Sequence, residues 1–334
     1  MGTGKTTKKI TAVIALTLAF VSVFALLRGY SDTVSAPFIG VAEWPRAGDG
    51  ENPPGGAGPP GSPAPAETPP AAPAVDEYVI IKLNASDVGR GSLLLINHDH
   101  YYEIPDDNDL IRVFDAKTMS YMVADRDIML DATAVRALNV MMDAYTEETG
   151  RDNVVINSGF RDYAKQREIL DDYIKLAGPV DALKWASPPG HSEHHSGLAL
   201  DFGLFSGGTV RTFTGTGLNE WFKNNSWQYG FILRYSDEKT SITGTYGEPW
   251  HFRYTGVPHS VIINENDWCY EEYFDFITGF TYDGPYGFVY GGSMYEIYHT
   301  EEMQLKIPFD CEFDYSGDNI NGFIVTIRHI SPVE

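Results

Sequence analysis

Residues Pro188–Asp201 read PPGHSEHHSGLALD, and the rest of the chain is organised around this stretch and the later Glu248-Pro-Trp-His251. His194, Asp201 and His251 together supply two imidazoles and one carboxylate. That set is frequent at catalytic zinc sites, where three protein ligands leave the fourth position for water. Glu248, three residues before His251, is then the candidate general base, because bound zinc lowers the pKa of its water towards ~7. The two stretches therefore predict one catalytic zinc ion per chain.

The composition argues against a nucleic-acid partner. The 334 residues include 24 Lys and Arg against 46 Asp and Glu, which gives a net charge of −22. Nucleic-acid binding depends on neutralising phosphates with Lys and Arg, so a chain this acidic is poorly suited to it. Hydrophobic residues make up 43% of the chain, enough for a sizeable core in one large domain or two smaller ones.

Residues 1–30 predict a cytoplasmic flank and a membrane anchor. An uncharged run from Ile10 to Leu27 follows three lysines. As a helix this run would reach ~27 Å, close to the hydrocarbon thickness of a bilayer, and the lysines favour a cytoplasmic N-terminus. The alternative is a cleaved signal peptide with a Val-Ser-Ala site that ends at Ala36, just before Pro37. Both alternatives predict that the remainder of the chain is exported.

The domain organisation follows from shifts in composition. Residues 31–76 predict a disordered linker, because residues 45–73 hold ten of the 20 prolines and almost no large apolar side chain. A proline-rich spacer of this kind could extend up to ~90 Å from a membrane. Folded sequence begins near Tyr78, and the catalytic domain is predicted over residues 77–280. Residues 281–334, with short Gly- and Tyr-rich runs, predict a small β-rich extension.

The predicted fold class is α+β. Short segments rich in Ile, Leu and Val and bounded by turn residues predict strands at residues 78–83, 92–97, 111–114, 154–156 and 231–234. Apolar residues at helical spacing predict one helix between Asp131 and Gly150 and a second between Asp162 and Gly178. A third, short helix is predicted around residues 218–223. Strands and helices mix without a regular βαβ alternation.

Several separated motifs resemble one peptidase family. The pattern Ser192-x-His194-x-x-Gly197-x-Ala199-x-Asp201 is preceded by Ser158-Gly-Phe-Arg161 and followed by Glu248-x-Trp250-His251. Over residues 80–275 the sequence resembles the VanY-type D-alanyl-D-alanine carboxypeptidases, a zinc peptidase group that shares its fold with the Hedgehog signalling domain. The resemblance implies a Hedgehog/D,D-peptidase-like fold with an antiparallel sheet and flanking helices.

The resemblance also implies roles for the motif residues. His194, Asp201 and His251 would bind zinc, and Glu248 would be the catalytic base. Arg161 is the candidate for stabilising the tetrahedral oxyanion or for holding a substrate carboxylate, because a guanidinium offers a planar fork of donors. A surface ion pair ahead of the second helix is the alternative for Arg161.

Further roles are implied for residues around the ligands. Ser158 and Gln166 would line the substrate groove. Ser192 would orient the metal site through a hydrogen bond, since such partners fix ligand geometry. Trp250 would pack beside His251 and exclude water.

Two positions depart from the family pattern, which has Tyr where His191 stands and Gln where His195 stands. His195 is therefore a rival of His194 as ligand. In an extended segment the two side chains would point to opposite faces, and His194, which matches the motif, is the predicted ligand. His191 and His195 could instead tune the response to pH or the choice of substrate.

The two cysteines leave two alternatives open. Cys269 and Cys311 lie in the part of the chain predicted to be exported, where a disulfide can persist. A bond would tie the catalytic domain to the β-rich extension. Two free thiols are the alternative.

The implied function is removal of the terminal D-alanine from peptidoglycan stem peptides. The enzyme would be anchored in the cell membrane of a Gram-positive bacterium with its catalytic domain outside. One alternative is an L,D-carboxypeptidase that acts on tetrapeptide stems. The other is a non-catalytic zinc module that binds cell-wall peptides, and Glu248 argues against it, since a binding module needs no base beside its third ligand.

Overall fold

The computed structural model of the protein describes residues 78–329. The predicted membrane anchor and linker, residues 1–30 and 31–76, lie outside this range. Among residues 78–329, no helix is both long enough and apolar enough to cross a membrane.

Strands and helices follow one another irregularly along the described residues. The strands are β1 (Tyr78–Lys82), β2 (Leu110–Arg112), β3 (Met122–Val123), β4 (Met129–Asp131), β5 (Val154–Ser158), β6 (Ala199–Ser206), β7 (Thr209–Thr212), β8 (Phe231–Leu233), β9 (His251–Tyr254), β10 (Tyr286–Tyr290), β11 (Ser293–Thr300), β12 (Gln304–Pro308), β13 (Cys311–Gly317) and β14 (Phe323–His329). The α-helices are α1 (Val113–Ala116), α2 (Ala132–Thr149), α3 (Tyr163–Ala177), α4 (Pro179–Ala182), α5 (Glu220–Asn225), α6 (Thr240–Thr243), α7 (His259–Glu265) and α8 (Tyr270–Ile277). This mixture is the predicted α+β class.

The largest sheet positions the functional residues. Its strands lie in the order β3-β5-β6-β9-β8, with β7 paired to β6. The β3–β5 pair is parallel, and the other pairs are antiparallel. Helix α2 packs on one face, where Met141 and Met142 are buried together with Leu200 and Phe202. Because side chains alternate along a strand, β6 turns Leu200 and Phe202 to this core and Asp201 to the opposite face.

The two long helices begin and end where the sequence predicts. The Asp131 carboxylate accepts two main-chain N–H groups at 2.8 and 3.1 Å at the start of α2. Gly150 ends that helix in the left-handed conformation with φ of 67°, which glycine adopts without a steric penalty. The Asp162 carboxylate accepts one main-chain N–H, that of Lys165, at 2.7 Å at the start of α3, and Gly178 follows the helix. Both Met141 and Met142 fill the core, as the spacing predicts.

Two of the predicted strands are corrected by the structure. Residues 92–97 form an irregular segment, because their N–H groups find single partners instead of a neighbouring strand: Leu93 donates to Ser316 Oγ and Leu95 to the Asp318 carbonyl oxygen. The apolar run correctly indicated buried side chains, but the prediction that residues 92–97 pair as a strand was wrong. The strand predicted at 111–114 ends at Arg112, and a helical turn begins at Val113.

The C-terminal part forms a second sheet, in the order β10-β11-β14-β13, and β1 pairs with β12. Contacts cross the predicted boundary at residue 280. Tyr270 and Tyr273 of α8 are buried in one cluster with Ile297 and Ile324 of this sheet. The domain bounds given above stay predictions.

Both cysteines are free thiols in the structure. Cys269 is buried at the start of α8, whereas Cys311 opens β13 and its Sγ lies 2.9 Å from the Pro308 carbonyl oxygen. Of the two alternatives, the structure therefore has the free thiols.

Candidate metal centre and active site

Three of the predicted residues form a compact group. One nitrogen each of His194 and His251 and one carboxylate oxygen of Asp201 lie within 4.8 Å of one another. Asp201 and His251 are direct neighbours across β6 and β9. His194 comes from the single 3-10 turn Glu193–Ser196 that precedes β6. Within residues 78–329, no other group of His, Cys, Asp and Glu has this spacing.

Hydrogen bonds orient the two imidazole rings. His194 Nδ1 lies 2.6 Å from the Gly159 carbonyl oxygen, which can only accept, so Nδ1 carries the proton. The lone pair of His194 Nε2 then faces Asp201 Oδ2 at 3.4 Å. His251 is turned the other way: Nδ1 lies 3.1 Å from Asp201 Oδ1, and Nε2 lies 3.4 Å from Glu193 Oε2. The group can therefore offer two ring nitrogens and a carboxylate to a divalent cation.

The two rings titrate in opposite directions. Burial lowers the pKa of His194 to about 4, and Arg161 contributes in the same direction. Burial also lowers the pKa of His251, but hydrogen bonds to Asp201 and Glu193 raise it to about 9. A cation has to displace the His251 proton, because only a neutral imidazole is a ligand.

Glu248 lies at the edge of this group. Its Oε2 is 3.8 Å from His251 Nδ1. A tight turn holds it there, since its N–H donates to the Tyr235 carbonyl oxygen and its own carbonyl accepts from the His251 N–H, both at 3.0 Å. Burial raises the pKa of Glu248 to about 8, opposed by His251 and supported by Asp201. A carboxyl group that titrates near neutrality can take up and return a proton.

Arg161 is connected to three other predicted residues. Its guanidinium contacts Asp201 Oδ2 at 2.5 Å and donates to Ser158 Oγ at 2.9 Å. Its Nη1 lies 3.5 Å from Gln166 Oε1. Ser158 is also the cross-strand neighbour of Asp201 on β5. The structure thus brings Arg161, Ser158 and Gln166 together. The ion pair of Arg161 is largely buried and not a surface pair, since both side chains are less than a fifth exposed.

Two further predicted residues lie close to the ligands. Ser192 is buried and precedes the 3-10 turn, and its hydroxyl makes no capping hydrogen bond to that turn. Trp250 is half-buried against the core of the large sheet. The aromatic ring found beside His251 is that of Tyr235, with ring centroids 5.0 Å apart. The predicted roles of Ser192 and Trp250 stay predictions.

His195, the rival ligand, uses both ring nitrogens elsewhere. Its Nδ1 lies 2.6 Å from the Arg161 carbonyl oxygen, and its Nε2 accepts the Gly190 N–H at 2.9 Å. The segment is a 3-10 turn and not extended, so strand alternation does not apply to His194 and His195. With three residues per turn, neighbouring side chains diverge by ~120°. His191 Nδ1 lies 2.8 Å from the Asn97 carbonyl oxygen, also away from the group.

Sequence reasoning missed Tyr173, which it treated only as an apolar position of α3. Burial raises the pKa of Tyr173 to about 12, and the charges of Glu248 and Asp201 raise it further while Arg161 opposes them. The hydroxyl therefore lies within electrostatic reach of the site. Nothing in the local sequence distinguishes it from a core tyrosine.

Sequence reasoning also missed Glu193, which is 1% exposed beneath His251. A signal was present. Arg234 and Arg253 each follow apolar residues in the sequence, Phe231-Ile-Leu and Phe252, and a fully buried arginine requires an acidic partner. Glu193, between Ser192 and His194, is that partner.

Three comparisons with known proteins bear on the site. A family model described as VanY, D-alanyl-D-alanine carboxypeptidase, matches residues 127–257. The D-alanyl-D-alanine carboxypeptidase of Enterococcus faecium is 32% identical over 251 residues, 73% of this chain and 78% of that protein. The bifunctional D-Ala-D-Ala dipeptidase and D-Ala-D-Ala carboxypeptidase VanXYC of Enterococcus gallinarum is 33% identical over 160 residues, 46% of this chain and 82% of that protein.

A solved structure matches a larger share of the chain. The vancomycin resistance D,D-dipeptidase VanXYg, crystallised with a D-Ala-D-Ala phosphinate analogue, superposes with a TM-score of 0.68 at 31% identity and covers 76% of this chain and 100% of that chain. Residues 80–275, over which the motifs resemble the family, are a smaller share of the chain. The shared fold therefore reaches beyond the motifs.

Proposed function

The chain belongs to the VanY family of D-alanyl-D-alanine carboxypeptidases, which are hydrolases, and we propose that it removes the terminal D-alanine from peptidoglycan stem peptides with one zinc ion. The observation that carries this proposal is the convergence of His194, Asp201 and His251 beside the buried Glu248. Two imidazole nitrogens and one carboxylate oxygen are a donor set that suits zinc and leaves a position open.

The proposed chemistry divides the work between the cation and the protein. Zinc held by His194, Asp201 and His251 would polarise a bound water and lower its pKa towards ~7. Glu248 accepts a proton from the attacking water and delivers it to the leaving amine. Burial raises the pKa of Glu248 to about 8, and a cation bound nearby would lower it, because positive charge favours the carboxylate.

Arg161 binds the charge that the substrate brings or develops. Ser158 and Gln166 hold its guanidinium in place by the hydrogen bonds described above. A guanidinium fixed in this way can stabilise the tetrahedral oxyanion or pair with the terminal carboxylate of the stem peptide. Ser158 and Gln166 thereby line the same groove.

We further propose that the enzyme works outside the cell membrane of a Gram-positive bacterium. The support is the sequence alone: the apolar run from Ile10 to Leu27 and the proline-rich residues 45–73. Together they would hold the catalytic part within reach of the peptidoglycan.

A second candidate reaction is hydrolysis of the free dipeptide D-Ala-D-Ala. It is favoured by the likeness to VanXYC, named as a dipeptidase and carboxypeptidase, and to VanXYg, named as a D,D-dipeptidase. The same groups would serve, and the substrates would differ only in what precedes the cleaved bond.

The test is mass spectrometry of defined substrates incubated with the purified full chain. Pentapeptide stems, tetrapeptide stems and D-Ala-D-Ala are compared with and without a chelator, and zinc is then added back. Loss of one alanine from the pentapeptide, abolished by the chelator and restored by zinc, is the expected result. Cleavage of the tetrapeptide instead would identify an L,D-carboxypeptidase. No cleavage of any substrate by zinc-loaded protein would contradict an enzymatic function.

A further inference from the structure

A buried group of four charged side chains lies directly beneath the candidate metal centre. Glu193, Arg234 and Arg253 have fully buried side chains. Arg234 Nε donates to Glu193 Oε1 at 2.7 Å, and Arg253 Nη1 donates to the same oxygen at 2.9 Å. Arg234 also pairs with both oxygens of Glu271 on α8, at 2.9 and 2.6 Å. We call these four residues the buried quartet; its two positive and two negative charges balance.

The two oxygens of Glu193 have different partners. Oε1 receives both arginines, and Oε2 is left for His251 Nε2 at 3.4 Å. A carboxylate held by two guanidinium groups only accepts hydrogen bonds. His251 Nδ1 is on the side of Asp201, 3.1 Å from Oδ1. A neutral His251 whose Nδ1 lone pair faces a cation carries its proton on Nε2, where Glu193 Oε2 can accept it.

We propose that Glu193 is a positioning residue, which fixes the ring and the tautomer of His251 so that Nδ1 faces the cation. The inference rests on the proposed function, since it assumes that a cation binds at this group. Glu193 occupies a position that the motif Ser192-x-His194 leaves open, so the motif itself assigns it no role. Carboxylates that accept from the far nitrogen of a ligand histidine commonly hold its orientation and raise its basicity.

The quartet makes the carboxylate irreplaceable by its amide. Glutamine has one oxygen and one NH₂ group, so it cannot accept from the arginines and from His251 at both ends. If its oxygen faces Arg234 and Arg253, the NH₂ group donates to His251 Nε2. The His251 proton then moves to Nδ1, the atom that the cation needs. Glu193→Gln thus changes one proton's position with almost no change in side-chain volume.

Glu271→Gln is the matched control. Glu271 belongs to the same quartet and pairs with Arg234, but its carboxylate oxygens bond Arg234 and Asn97 and not His251. Both variants remove one negative charge from the quartet and should lower stability. Only Glu193→Gln should affect the ring that binds the cation.

The experiment measures zinc affinity and the His251 tautomer in the full chain. Competition against a chelator of known affinity should show a Kd raised about 10- to 100-fold in Glu193→Gln and changed less than about threefold in Glu271→Gln. Long-range ¹H–¹⁵N NMR should place the His251 proton on Nε2 in the zinc-loaded parent and on Nδ1 in zinc-free Glu193→Gln.

Three outcomes would overturn the proposal: unchanged zinc affinity in Glu193→Gln, an equal loss in Glu271→Gln, or a proton on Nδ1 of His251 in the zinc-loaded parent. The last measurement needs no variant. If the parent binds no zinc, the proposed function fails; if the parent binds zinc and cleaves the pentapeptide while Glu193→Gln binds zinc as tightly, only the role of Glu193 fails.

Discussion

Two buried histidines, eight positions apart, lie in very different surroundings. His251 is 3% exposed and His259 is 5% exposed. His251 faces the carboxylates of Asp201 and Glu193, whose hydrogen bonds raise its pKa to about 9 against the effect of burial. His259 lies between the hydroxyls of Tyr273 and Thr326, at 2.5 and 3.0 Å, and burial lowers its pKa to about 3. Burial alone therefore does not mark a functional histidine, whereas convergence with carboxylates does.

The position of each histidine in the fold explains the difference. His251 opens β9 on the face of the large sheet opposite its apolar core, next to Asp201 on β6. His259 opens α7, and its two partners come from α8 and β14. The first ring belongs to a group that can bind a cation; the second joins two helices to the C-terminal sheet with both nitrogens satisfied.

The comparison is tested most severely at Glu248. We expect Glu248→Gln to lower turnover of the pentapeptide by about 10²- to 10⁴-fold, since a positioned general base contributes on that order. The amide cannot accept the proton but keeps the size of the side chain. The measurement is kcat by mass spectrometry, with the zinc content of the same samples determined by elemental analysis.

Glu272→Gln is the control for this variant. Glu272 lies on α8 and pairs with Lys239 at 2.8 Å, far from the ligand group in sequence and partly exposed. It should leave kcat and zinc content unchanged. Full activity of Glu248→Gln at normal zinc content would refute the role of Glu248 as base.

Exchanging the two histidines for alanine separates the regions directly. His251→Ala removes a metal ligand. It should therefore weaken zinc binding more than the loss of a ligand's hydrogen-bond partner does, which costs about 10- to 100-fold. His259→Ala should keep one zinc per chain but lower the free energy of unfolding by about 2 to 4 kcal/mol, since two buried hydroxyls lose their partner. Zinc competition and urea unfolding of both variants give the result. Loss of zinc in His259→Ala alone would break the comparison.

The same contrast predicts a dependence of stability on pH. The pKa of His259 is about 3 in the folded protein and 6.5 ordinarily. The unfolded chain therefore takes up a proton below pH 6.5 while the folded protein does not, so the contribution of His259 is complete above 6.5 and is lost as the pH falls towards 3. Between pH 6.5 and about 4.5 the loss should be about 2 to 3 kcal/mol.

Urea unfolding of metal-free protein across this pH range measures the effect, and His259→Gln is the control. Glutamine can donate to one hydroxyl and accept from the other, and it does not titrate. Between pH 6.5 and about 4.5, the free energy of unfolding of the variant should fall by about 2 to 3 kcal/mol less than that of the parent. Equal slopes would mean that His259 is not held neutral in the folded protein.

The sequence predicted the parts of the structure that depend on local chemistry. The bounds of α2 and α3 follow from Asp131, Asp162 and the glycines that end them, because capping satisfies main-chain groups within one turn. The group of His194, Asp201 and His251 was implied by the resemblance of the motifs to the peptidase family. These predictions need no knowledge of distant contacts.

The rest depended on tertiary partners. Residues 92–97 carry a strand-like apolar run, yet their hydrogen bonds go to residues 316–318, which no local pattern reveals. The role of Glu193 depends on Arg234 and Arg253, which reach it only after β8 and β9 come together. A long-range pairing of this kind can be suspected from buried arginines but not assigned.

The smallest expected effect concerns His195, the residue that competed with His194 for the role of ligand. Gln in its place can donate its amide N–H to the Arg161 carbonyl oxygen and accept the Gly190 N–H, as the imidazole does. We therefore expect His195→Gln to keep one zinc per chain and to change the free energy of unfolding by less than about 1 kcal/mol. His195→Leu, which offers neither group, should lower stability by about 1 to 3 kcal/mol and raise KM by displacing Arg161. Loss of zinc in His195→Gln would instead assign the metal to His195. Hydrogen bonds of the ring nitrogens would then not distinguish a ligand histidine from a supporting one.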